Sequence, residues 1–327
     1  MSMTVRELLT LGERQLIESG IRDAVRDSKS LYCYLIGIPE TKLFMEYQYT
    51  IQDLLCEQYF DLVDRRASGE PLQYIVGTQE FMGLTFNVDP RVLIPRMDTE
   101  VLVDNALSLI QEGKLVGEGA RVIGDKTAWS VLDLCAGSGA IGISIAKLAG
   151  KAEVTLSDIS EGAIDVAKDN AKKNGVSDKV RIVQGDLFAP FKKLFRKQKF
   201  DMIVSNPPYI EKAVIPTLQK EIFEHEPMAA LDGGEDGLDF YRRIAIEAPD
   251  YLEDGGVLLL EIGDAQGEAV KTLLQGSVSA AGTSGGVGEG SHITADKKSK
   301  GRFKDVRIIK DLAGRDRVVF GLYAKEK

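Results

Sequence analysis

Hydrophobic residues recur at helical spacing over the first 75 residues, and this pattern predicts a small bundle of helices. Thr4 and Glu7 stand three positions apart at the start of the first periodic stretch, which is the spacing of a capping box. A second stretch ends before Pro39, and a third is predicted as one helix over 41–66. Because glycine and proline disfavour a continuing helix, the Gly-Glu-Pro sequence at 69–71 is predicted to interrupt the helical pattern.

Alternating apolar and polar residues over 80–88 predict the two strands of a β-hairpin. Helical spacing returns over 101–111, and the predicted N-cap of that helix is Asp98 or Thr99, because both side chains accept hydrogen bonds from helix amides. The polar, glycine-rich stretch 113–127 is predicted to be a loop.

Beyond residue 130, short apolar runs rich in β-branched residues alternate with helical patterns, as in a parallel sheet that helices cover on both faces. The predicted strands are 130–134, 153–158, 179–187, 200–205 and 256–262, followed by an antiparallel pair at 303–309 and 317–324. The predicted helices of this region are 140–148, 161–174 and 267–274, the second of them capped by Ser160. We therefore expect an α/β fold preceded by a smaller helical domain.

These changes of pattern divide the chain into a helical domain over 1–76, a β-hairpin linker over 77–96 and an α/β domain over 97–327. Within the α/β domain, the stretch 276–302 is rich in glycine, serine and lysine and holds almost no large apolar residue. Because such a composition buries too little apolar surface to form a core, this stretch is predicted to be a disordered insertion.

Net charge narrows the classes of partner. The 327 residues carry a formal charge of −9, and phosphate contacts through lysine and arginine dominate nucleic-acid affinity. We therefore expect a protein or small-molecule substrate and no stable binding of nucleic acid.

The sequence contains no run of eighteen apolar residues and no signal-peptide pattern, so we expect a cytoplasmic chain without a membrane segment. Two histidines and three cysteines form no ligand pattern, so no metal site is predicted.

A strand that ends in two prolines provides the first candidate site. Asn206-Pro207-Pro208-Tyr209 follows the predicted strand 200–205, and prolines donate no hydrogen bonds to a sheet. The stiff loop that results suits a planar –NH2 group: the Asn206 side-chain oxygen and a backbone carbonyl accept its two N–H bonds, while Tyr209 covers one face. The four residues alone are equally compatible with a turn that closes a strand.

A glycine loop follows the strand 130–134. Gly137 and Gly139 let the backbone turn tightly and approach a ligand, and the amides of the next helix point at that ligand. The spacing of Gly137, Gly139 and Gly142 also fits the dinucleotide pattern G-x-G-x-x-G. Asp133 and the small residues before the glycines, however, resemble the glycine loop of class I S-adenosylmethionine-dependent methyltransferases.

Acidic residues mark the ends of the next two predicted strands. A carboxylate at Asp158 suits both hydroxyls of a ribose, Asp186 suits the exocyclic amine of adenine, and Leu187 suits packing on its ring. Either acid alone fits a helix cap or a solvated turn better than a ligand site. Because open α/β sheets bind ligands at the carboxyl ends of their strands, ligand-type residues after four successive strands predict one site at this edge.

Five motifs in a fixed order carry a family resemblance. The motifs are Glu70-Pro71-x-x-Tyr74, Glu80-Phe81-x-Gly83-Leu84, Leu93-Ile94-Pro95-Arg96-x-Asp98-Thr99-Glu100, Asp133-Leu134-x-x-Gly137-x-Gly139-Ala140-Ile141 and Asn206-Pro207-Pro208-Tyr209-Ile210. Together they resemble the protein-(glutamine-N) methyltransferases that modify class I peptide chain release factors, the PrmC/HemK family. The resemblance covers nearly the whole chain except about 113–128 and 276–302. It implies a Rossmann-like, mostly parallel seven-stranded sheet in the catalytic domain 97–327, and a release-factor-docking role for 1–76.

The resemblance also implies ligands and residue roles. The implied cofactor is S-adenosyl-L-methionine, the product is S-adenosyl-L-homocysteine, and the partners of the expected monomer are class I release factors in translation termination. The implied cofactor-binding residues are Cys135, Ala136, Gly137, Ser138, Gly139, Asp158, Asp186, Leu187 and Asn206. The residues implied around the glutamine of a Gly-Gly-Gln loop are Asn206, Pro207, Pro208 and Tyr209, with catalytic roles for Asn206, Pro207 and Tyr209. Arg96, Thr99 and Glu100 are expected near the methionyl end of the cofactor or at the domain hinge.

The chain departs from the family pattern at two places. Met97 stands where the family commonly has proline, and Cys135-Ala136 stands where it often has Gly-Thr. Two other interpretations remain open on the sequence alone. One is a methyltransferase of DNA or ribosomal RNA amino groups, because such enzymes share the Asn-Pro-Pro-Tyr loop, and the other is a binding module with a methyltransferase fold and no activity.

Overall fold

The computed structural model describes residues 3–118, 122–124, 126–192, 198–276 and 301–325. The chain divides into two compact units. The first unit consists of Met1–Gln79, Val88–Pro90 and Thr217–Glu226, and the second of Glu80–Asn87, Arg91–Pro216 and Pro227–Lys327. The predicted disordered insertion falls, over 277–300, outside the described residues.

Helices dominate the first unit, whereas strands and helices alternate in the second. The helices are α1 (Val5–Glu18), α2 (Ala24–Ile36), α3 (Leu43–Glu46), α4 (Asp53–Ala67), α5 (Leu72–Val76), α6 (Glu100–Glu112), α7 (Ala140–Leu148), α8 (Glu161–Lys173), α9 (Lys220–His225), α10 (Asp239–Glu247) and α11 (Gly267–Leu274). The strands are β1 (Met3–Thr4), β2 (Thr50–Ile51), β3 (Thr78–Phe81), β4 (Leu84–Asn87), β5 (Trp129–Leu134), β6 (Ala152–Asp158), β7 (Val180–Gln184), β8 (Phe200–Ser205), β9 (Leu252–Glu261), β10 (Gly301–Lys310) and β11 (Asp316–Lys325). None of the helices in the described part of the chain is both long and apolar enough to cross a membrane.

The first unit is held together by a buried apolar cluster that α1, α2 and α4 share. The predicted capping box begins α1: Thr4 Oγ1 accepts from Glu7 N at 3.3 Å, and the Glu7 carboxylate accepts from Thr4 N at 2.8 Å. The apolar face of α1 then lies in the cluster. Tyr59 of α4 is fully buried, and its hydroxyl shares a 2.7 Å hydrogen bond with Ser28 of α2, so the one polar atom of this ring is satisfied.

The single helix predicted over 41–66 is wrong. The chain leaves the helix after α3, and β2 pairs antiparallel with β1. The amides of Val5 and Arg6 at the start of α1 then donate to the carbonyls of Tyr49 and Tyr47, at 3.0 and 3.3 Å. Because the first amides of a helix have no partner within it, this tertiary pairing satisfies groups that a continuous helix would leave open, and it overrides the apolar periodicity.

The second unit contains the predicted seven-stranded sheet, in the order β10-β11-β9-β8-β5-β6-β7. The strands from β9 to β7 are parallel, whereas β11 is antiparallel to both of its neighbours. Two buried apolar clusters take alternate residues of these strands, so both faces of the sheet are covered, as the near-continuous apolar runs predicted. β7 ends earlier than the predicted 187 because the chain turns after Gln184, and Leu187 adopts a left-handed conformation.

Two local predictions around the hairpin have different outcomes. The hairpin is present as β3 and β4, and its turn residues Met82 and Gly83 both have positive φ, as a two-residue turn between twisted strands requires. Thr99 occupies the N-cap position of α6 as predicted, but its side chain makes no capping bond.

Two helices, α9 and α10, have no counterpart among the predicted elements.

Candidate active site

The candidate site lies where the order of strands reverses. β5 pairs with β6 on one side and β8 on the other, so the loops after β5 and β8 leave the same edge of the sheet side by side. Leu134 and Ser205 are the last paired residues of these two strands, and Ser205 Oγ donates to the Leu134 carbonyl at 2.8 Å. Such a reversal opens a crevice at the carboxyl ends of parallel strands, where ligands bind in this class of sheet.

The glycine loop after β5 combines tight turns with open space. Cys135, Gly137 and Gly139 all have positive φ, of 57°, 53° and 80°. A Cβ atom on Gly137 would meet no atom within 4 Å, which leaves room for a ligand beside the backbone, whereas one on Gly139 would lie 2.8 Å from Ile143 Cδ1. Cys135 adopts a conformation that costs a non-glycine residue about 1–2 kcal/mol, which explains why this position favours glycine in the family that the motif resembles.

Asp133 supports this loop from inside the sheet. Its side chain is fully buried, and Oδ2 accepts a 2.8 Å hydrogen bond from the amide of Gly142 in the first turn of α7. Among the described residues, Oδ1 has no hydrogen-bond partner. Burial raises the pKa of Asp133 to about 8, and the nearby charge of Asp158 acts in the same direction.

Asp158 ties the end of β6 to the glycine loop. Its Oδ2 accepts from the amide of Gly137 at 2.8 Å, and its Oδ1 accepts from the amide of Ser160 at 2.9 Å. Burial raises the pKa of Asp158, while these backbone bonds oppose the rise. Each carboxylate oxygen retains a further lone pair, so the group is able to accept two more hydrogen bonds from a ligand.

Asp186 and Leu187 follow β7 but differ in environment. Asp186 is half-exposed and pairs with Arg243 of α10, with 2.6 Å between Oδ2 and Nη2. Leu187 is buried among apolar side chains. Arg243 lies on α10, which was not among the predicted helices, although the apolar residues at 241, 244 and 248 have helical spacing. One oxygen of Asp186 is therefore already engaged by a cation.

The Asn-Pro-Pro-Tyr loop after β8 is held at its far end. Pro207 and Pro208 are buried, whereas Asn206 and Tyr209 are half-buried. The carbonyl of Tyr209 accepts a 3.0 Å hydrogen bond from Gln266 Nε2, and a Cβ atom at Gly237 would overlap that carbonyl. Burial raises the pKa of Tyr209 to about 12, so its phenol is neutral at physiological pH.

A polar cluster surrounds the side chain of Asn206. Its Nδ2 donates to Thr99 Oγ1 at 3.4 Å, and the carboxylate of Glu261 at the end of β9 accepts hydrogen bonds from the side chains of both Thr99 and Asn206. This use of the Thr99 hydroxyl explains why it does not cap α6. Burial raises the pKa of Glu261 to about 7, although the bonds from Thr99 and the charge of Arg317 oppose the rise.

Glu261 and Arg317 did not emerge from the sequence patterns. The rule that selected Asp158 and Asp186 as acids at strand ends applies equally to Glu261, which ends β9. Arg317 is buried, and its Nη2 atom lies 3.0 Å from Asp98 Oδ2 and 3.3 Å from Asp311 Oδ2. It carries no comparable signal, because its position beside the site depends on Asp98, which is far away in the chain, whereas Asp311 is only a sequence neighbour.

Glu100 has a structural contact that its expected position did not predict. Its Oε1 accepts from the amide of Met82 at the tip of the hairpin, at 2.8 Å. Thr99, by contrast, does join the polar cluster around Asn206. The site thus brings together acceptor groups from the ends of β5, β6, β8 and β9, which suits binding of hydroxyl and amino groups and the positioning of a nucleophilic nitrogen.

Known proteins resemble this chain over most of its length. A family model described as "Methyltransferase small domain" matches residues 120–238, and one described as "PrmC N-terminal domain" matches residues 7–77. A protein of Geobacter sulfurreducens is 42% identical over 82% of this chain and 87% of its own length. Proteins of Clostridium acetobutylicum and Moorella thermoacetica are 40% and 35% identical, over 84% and 99% of this chain and 90% and 100% of their own lengths. All three bear the name release factor glutamine methyltransferase.

Proposed function

This chain belongs to the release factor glutamine methyltransferases, and from that premise we propose that it methylates the glutamine of the Gly-Gly-Gln motif in class I peptide chain release factors. The methyl group goes from S-adenosylmethionine to the side-chain amide nitrogen, S-adenosylhomocysteine is released, and the nitrogen loses one proton. We place the reaction in the cytoplasm because the substrate is a translation factor. The second unit has the class I methyltransferase fold.

One observation carries the proposal: the Asn-Pro-Pro-Tyr loop and the glycine loop start from adjacent strand ends. Ser205 Oγ bridges to the Leu134 carbonyl at 2.8 Å, one residue before each loop. A nitrogen held by the first loop is therefore close to a group held by the second. Proximity and orientation of this kind supply roughly 7–11 kcal/mol of a barrier when the reacting atoms are aligned.

The first loop suits an amide nitrogen. Asn206 Oδ1 and the Pro207 carbonyl accept the two N–H bonds of the substrate glutamine, and Tyr209 covers one face of its amide. An amide nitrogen is a weak nucleophile because its lone pair is delocalised. Two accepted hydrogen bonds stabilise the positive charge that develops on that nitrogen as it becomes pyramidal, and they leave its other face open. The phenol of Tyr209 stays neutral and adds no competing charge.

The second loop and its neighbours fit S-adenosylmethionine. When bound, this cofactor supplies a methyl group made electrophilic by the positive charge on sulfur. Gly137 offers open space beside its backbone, and each oxygen of Asp158 keeps a lone pair for a ribose hydroxyl. The residues that hold the cofactor are then Cys135, Ala136, Gly137, Ser138, Gly139 and Asp158, with Asp186 and Leu187 towards the adenine and Asn206 towards the methyl group.

Mapping of the methylated residue tests the proposal. Purified chain is incubated with S-adenosylmethionine and an intact class I release factor, and the Gly-Gly-Gln peptide is analysed by mass spectrometry. We expect one added methyl group on the glutamine, and none when that glutamine is replaced by asparagine. DNA and ribosomal RNA fragments in parallel reactions test the competing amino-group substrates. If the chain binds the cofactor in calorimetry but the Gly-Gly-Gln peptide stays unmodified, the proposal is wrong. If DNA or ribosomal RNA is methylated instead, the enzyme acts on nucleic-acid amino groups.

A further inference from the structure

Glu261 is a buried carboxylate for which the proposed reaction has no direct use. Its side chain is 2% exposed, and its Oε2 has no hydrogen-bond partner in the described part of the chain. Burial of a carboxylate with one unpaired oxygen lowers stability. Groups that break a packing rule in this way are expected at functional sites, so the contacts of Glu261 indicate what it does.

The two hydrogen-bonding neighbours of the Glu261 carboxylate, Thr99 and Asn206, meet it at the nitrogen side of the Asn206 amide. An ionised carboxylate accepts hydrogen bonds and donates none, so only the Nδ2 branch of Asn206 is able to face Glu261. The Thr99 hydroxyl donates its single proton to Glu261 and presents its lone pairs to Asn206 Nδ2, 3.4 Å away. Glu261 and Thr99 therefore favour the same orientation of the Asn206 amide, whose oxygen and nitrogen ends are nearly identical in shape.

We propose that Glu261 is a positioning residue which, with Thr99, turns the Asn206 side chain so that Nδ2 faces the interior and Oδ1 faces the acceptor nitrogen. The inference rests on the proposed function, because it assigns Asn206 the task of accepting an N–H bond. In the reversed orientation, the –NH2 group of Asn206 would face the –NH2 group of the substrate. Two donors make no hydrogen bond, so the reversed site binds the glutamine poorly and leaves its nitrogen unaligned.

Protonation of Glu261 removes the selection, since a carboxylic acid also donates. The charged groups nearest to Glu261 are Arg317 of β11, which favours the ionised form, and Asp98, which opposes it. Tyr209 and Tyr241 also face Glu261, and both phenols stay neutral because burial raises their pKa values. With a pKa raised to about 7, Glu261 is ionised above that pH, and turnover is lost as the pH falls through it.

Glu261→Leu is the decisive variant because it keeps a similar volume and removes the acceptor of the Asn206 Nδ2 and Thr99 hydroxyl protons, whereas a glutamine would keep an acceptor oxygen. We expect kcat to fall by about 10- to 100-fold, as for other residues that orient a reacting side chain. Cofactor affinity by calorimetry stays unchanged, the melting temperature does not fall, and the acidic limb of the kcat profile near pH 7 disappears. Unchanged kcat, or a loss of cofactor affinity and melting temperature in step with kcat, overturns the inference.

A matched pair at Thr99 gives an independent test. Thr99→Ser keeps the hydroxyl that relays Asn206 to Glu261, whereas Thr99→Val keeps the shape and removes it. We expect Thr99→Ser to retain clearly more turnover than Thr99→Val, at equal melting temperature. Equal turnover of the two variants contradicts the relay.

Nuclear magnetic resonance separates this inference from the proposed function, because it needs no substrate. The side-chain amide signals of Asn206, assigned by their absence in Asn206→Ala, should shift with pH around 7 in the unsubstituted protein. The shift should vanish in Glu261→Leu. If the signals titrate but no glutamine is methylated, the inference stands and the proposed function fails. If glutamine is methylated but the signals do not titrate, the inference fails.

Discussion

The side-chain oxygen of Asn206 is the acceptor on which the proposed reaction depends. Asn206→Ala removes it while the buried prolines that shape the loop stay in place. We expect kcat to fall by about 10²–10³-fold, the loss typical of one oriented hydrogen-bonding group in an active site. Cofactor affinity should be largely retained because, by the proposal, the glycine loop after β5 and Asp158 at the end of β6 hold most of the cofactor. Single-turnover kinetics and calorimetry measure the two effects, and equal losses in both would remove Asn206 from the acceptor role.

Asp158 should show the opposite pattern. Asp158→Ala removes the acceptors for the Gly137 and Ser160 amides and, by the proposal, for two ribose hydroxyls. Hydrogen bonds to a charged group contribute about 1.5–3 kcal/mol each, so we expect cofactor binding to weaken by tenfold or more. At saturating cofactor, kcat should fall much less than in Asn206→Ala. Unchanged affinity in calorimetry would exclude Asp158 from the cofactor site.

Asp133 makes stability depend on pH in a direction unusual for an aspartate. Its pKa is raised to about 8 by burial, so the folded chain holds a proton that the unfolded chain releases near pH 4. The stronger proton binding of the folded chain adds to its free energy of unfolding. This stabilisation is complete at low pH and is lost as the pH rises towards 8. Asp133→Asn, which keeps an acceptor for the Gly142 amide, removes the effect.

The free energy of unfolding of Asp133→Asn relative to the unsubstituted chain should therefore grow between pH 5 and 8, by up to about 1.4 kcal/mol per pH unit. Urea titrations across this range measure it. A difference that stays constant with pH would mean that Asp133 is ionised in the folded state throughout.

Among the elements, α4 carries two adjacent arginines in different environments. Arg66 is buried and pairs with Asp27 at 2.7 Å and Glu221 at 2.8 Å, all within the first unit. Arg65 pairs with Glu70 but is half-exposed. Arg66→Ala leaves Asp27 buried without its cation and should lower the free energy of unfolding by about 3–5 kcal/mol, whereas Arg65→Ala should cost less than about 1 kcal/mol.

A double substitution that removes the buried ion pair is the control for Arg66→Ala. Asp27→Asn combined with Arg66→Met removes both buried charges and should recover much of the lost stability, because a buried pair is often no more stable than an apolar replacement. Chemical denaturation measures the free energy of unfolding of the three variants and so gives their order of stability. Similar losses for Arg65→Ala and Arg66→Ala would mean that burial does not govern the effect.

The sequence predicted most elements of the second unit because strand ends and helix starts carry local signals. The run into Asp133, the glycines after it and Ser160 before α8 each determine a local structure that their neighbours do not override. The break between α3 and α4 was not predictable in this way, because it depends on the pairing of Ile51 with Met3, nearly fifty residues away. The loop that begins at Asn206 was predictable from its own prolines, whereas the ion pair of Arg317 with Asp98 joins distant parts of the chain and was not predictable.

At the scale of the whole molecule, the two compact units suggest separate roles in catalysis and in docking of the substrate. The formal charge of −9 favours a protein over a nucleic acid as that substrate. The second unit contains the strand ends of the candidate site, and the first unit matches a domain described as PrmC N-terminal. A docking role for the first unit remains a prediction. It requires exposed apolar side chains, and the first unit has them: Tyr49 is 60% exposed and Leu54 64% exposed, and both line the same hollow.

Substitution of this hollow tests the docking role. Tyr49→Ser combined with Leu54→Ser should raise KM for an intact release factor by about tenfold, since exposed apolar anchors typically contribute around 1 kcal/mol or more each to an interface. KM for an isolated Gly-Gly-Gln peptide should not change, because a short peptide needs only the strand-end site. Ile17→Ser is the matched control, as Ile17 is 56% exposed on α1 and does not line the hollow. If the double variant and Ile17→Ser have the same KM for the intact release factor, docking relies on another surface. If KM for the peptide also rises in the double variant, the substitutions disturb the strand-end site itself.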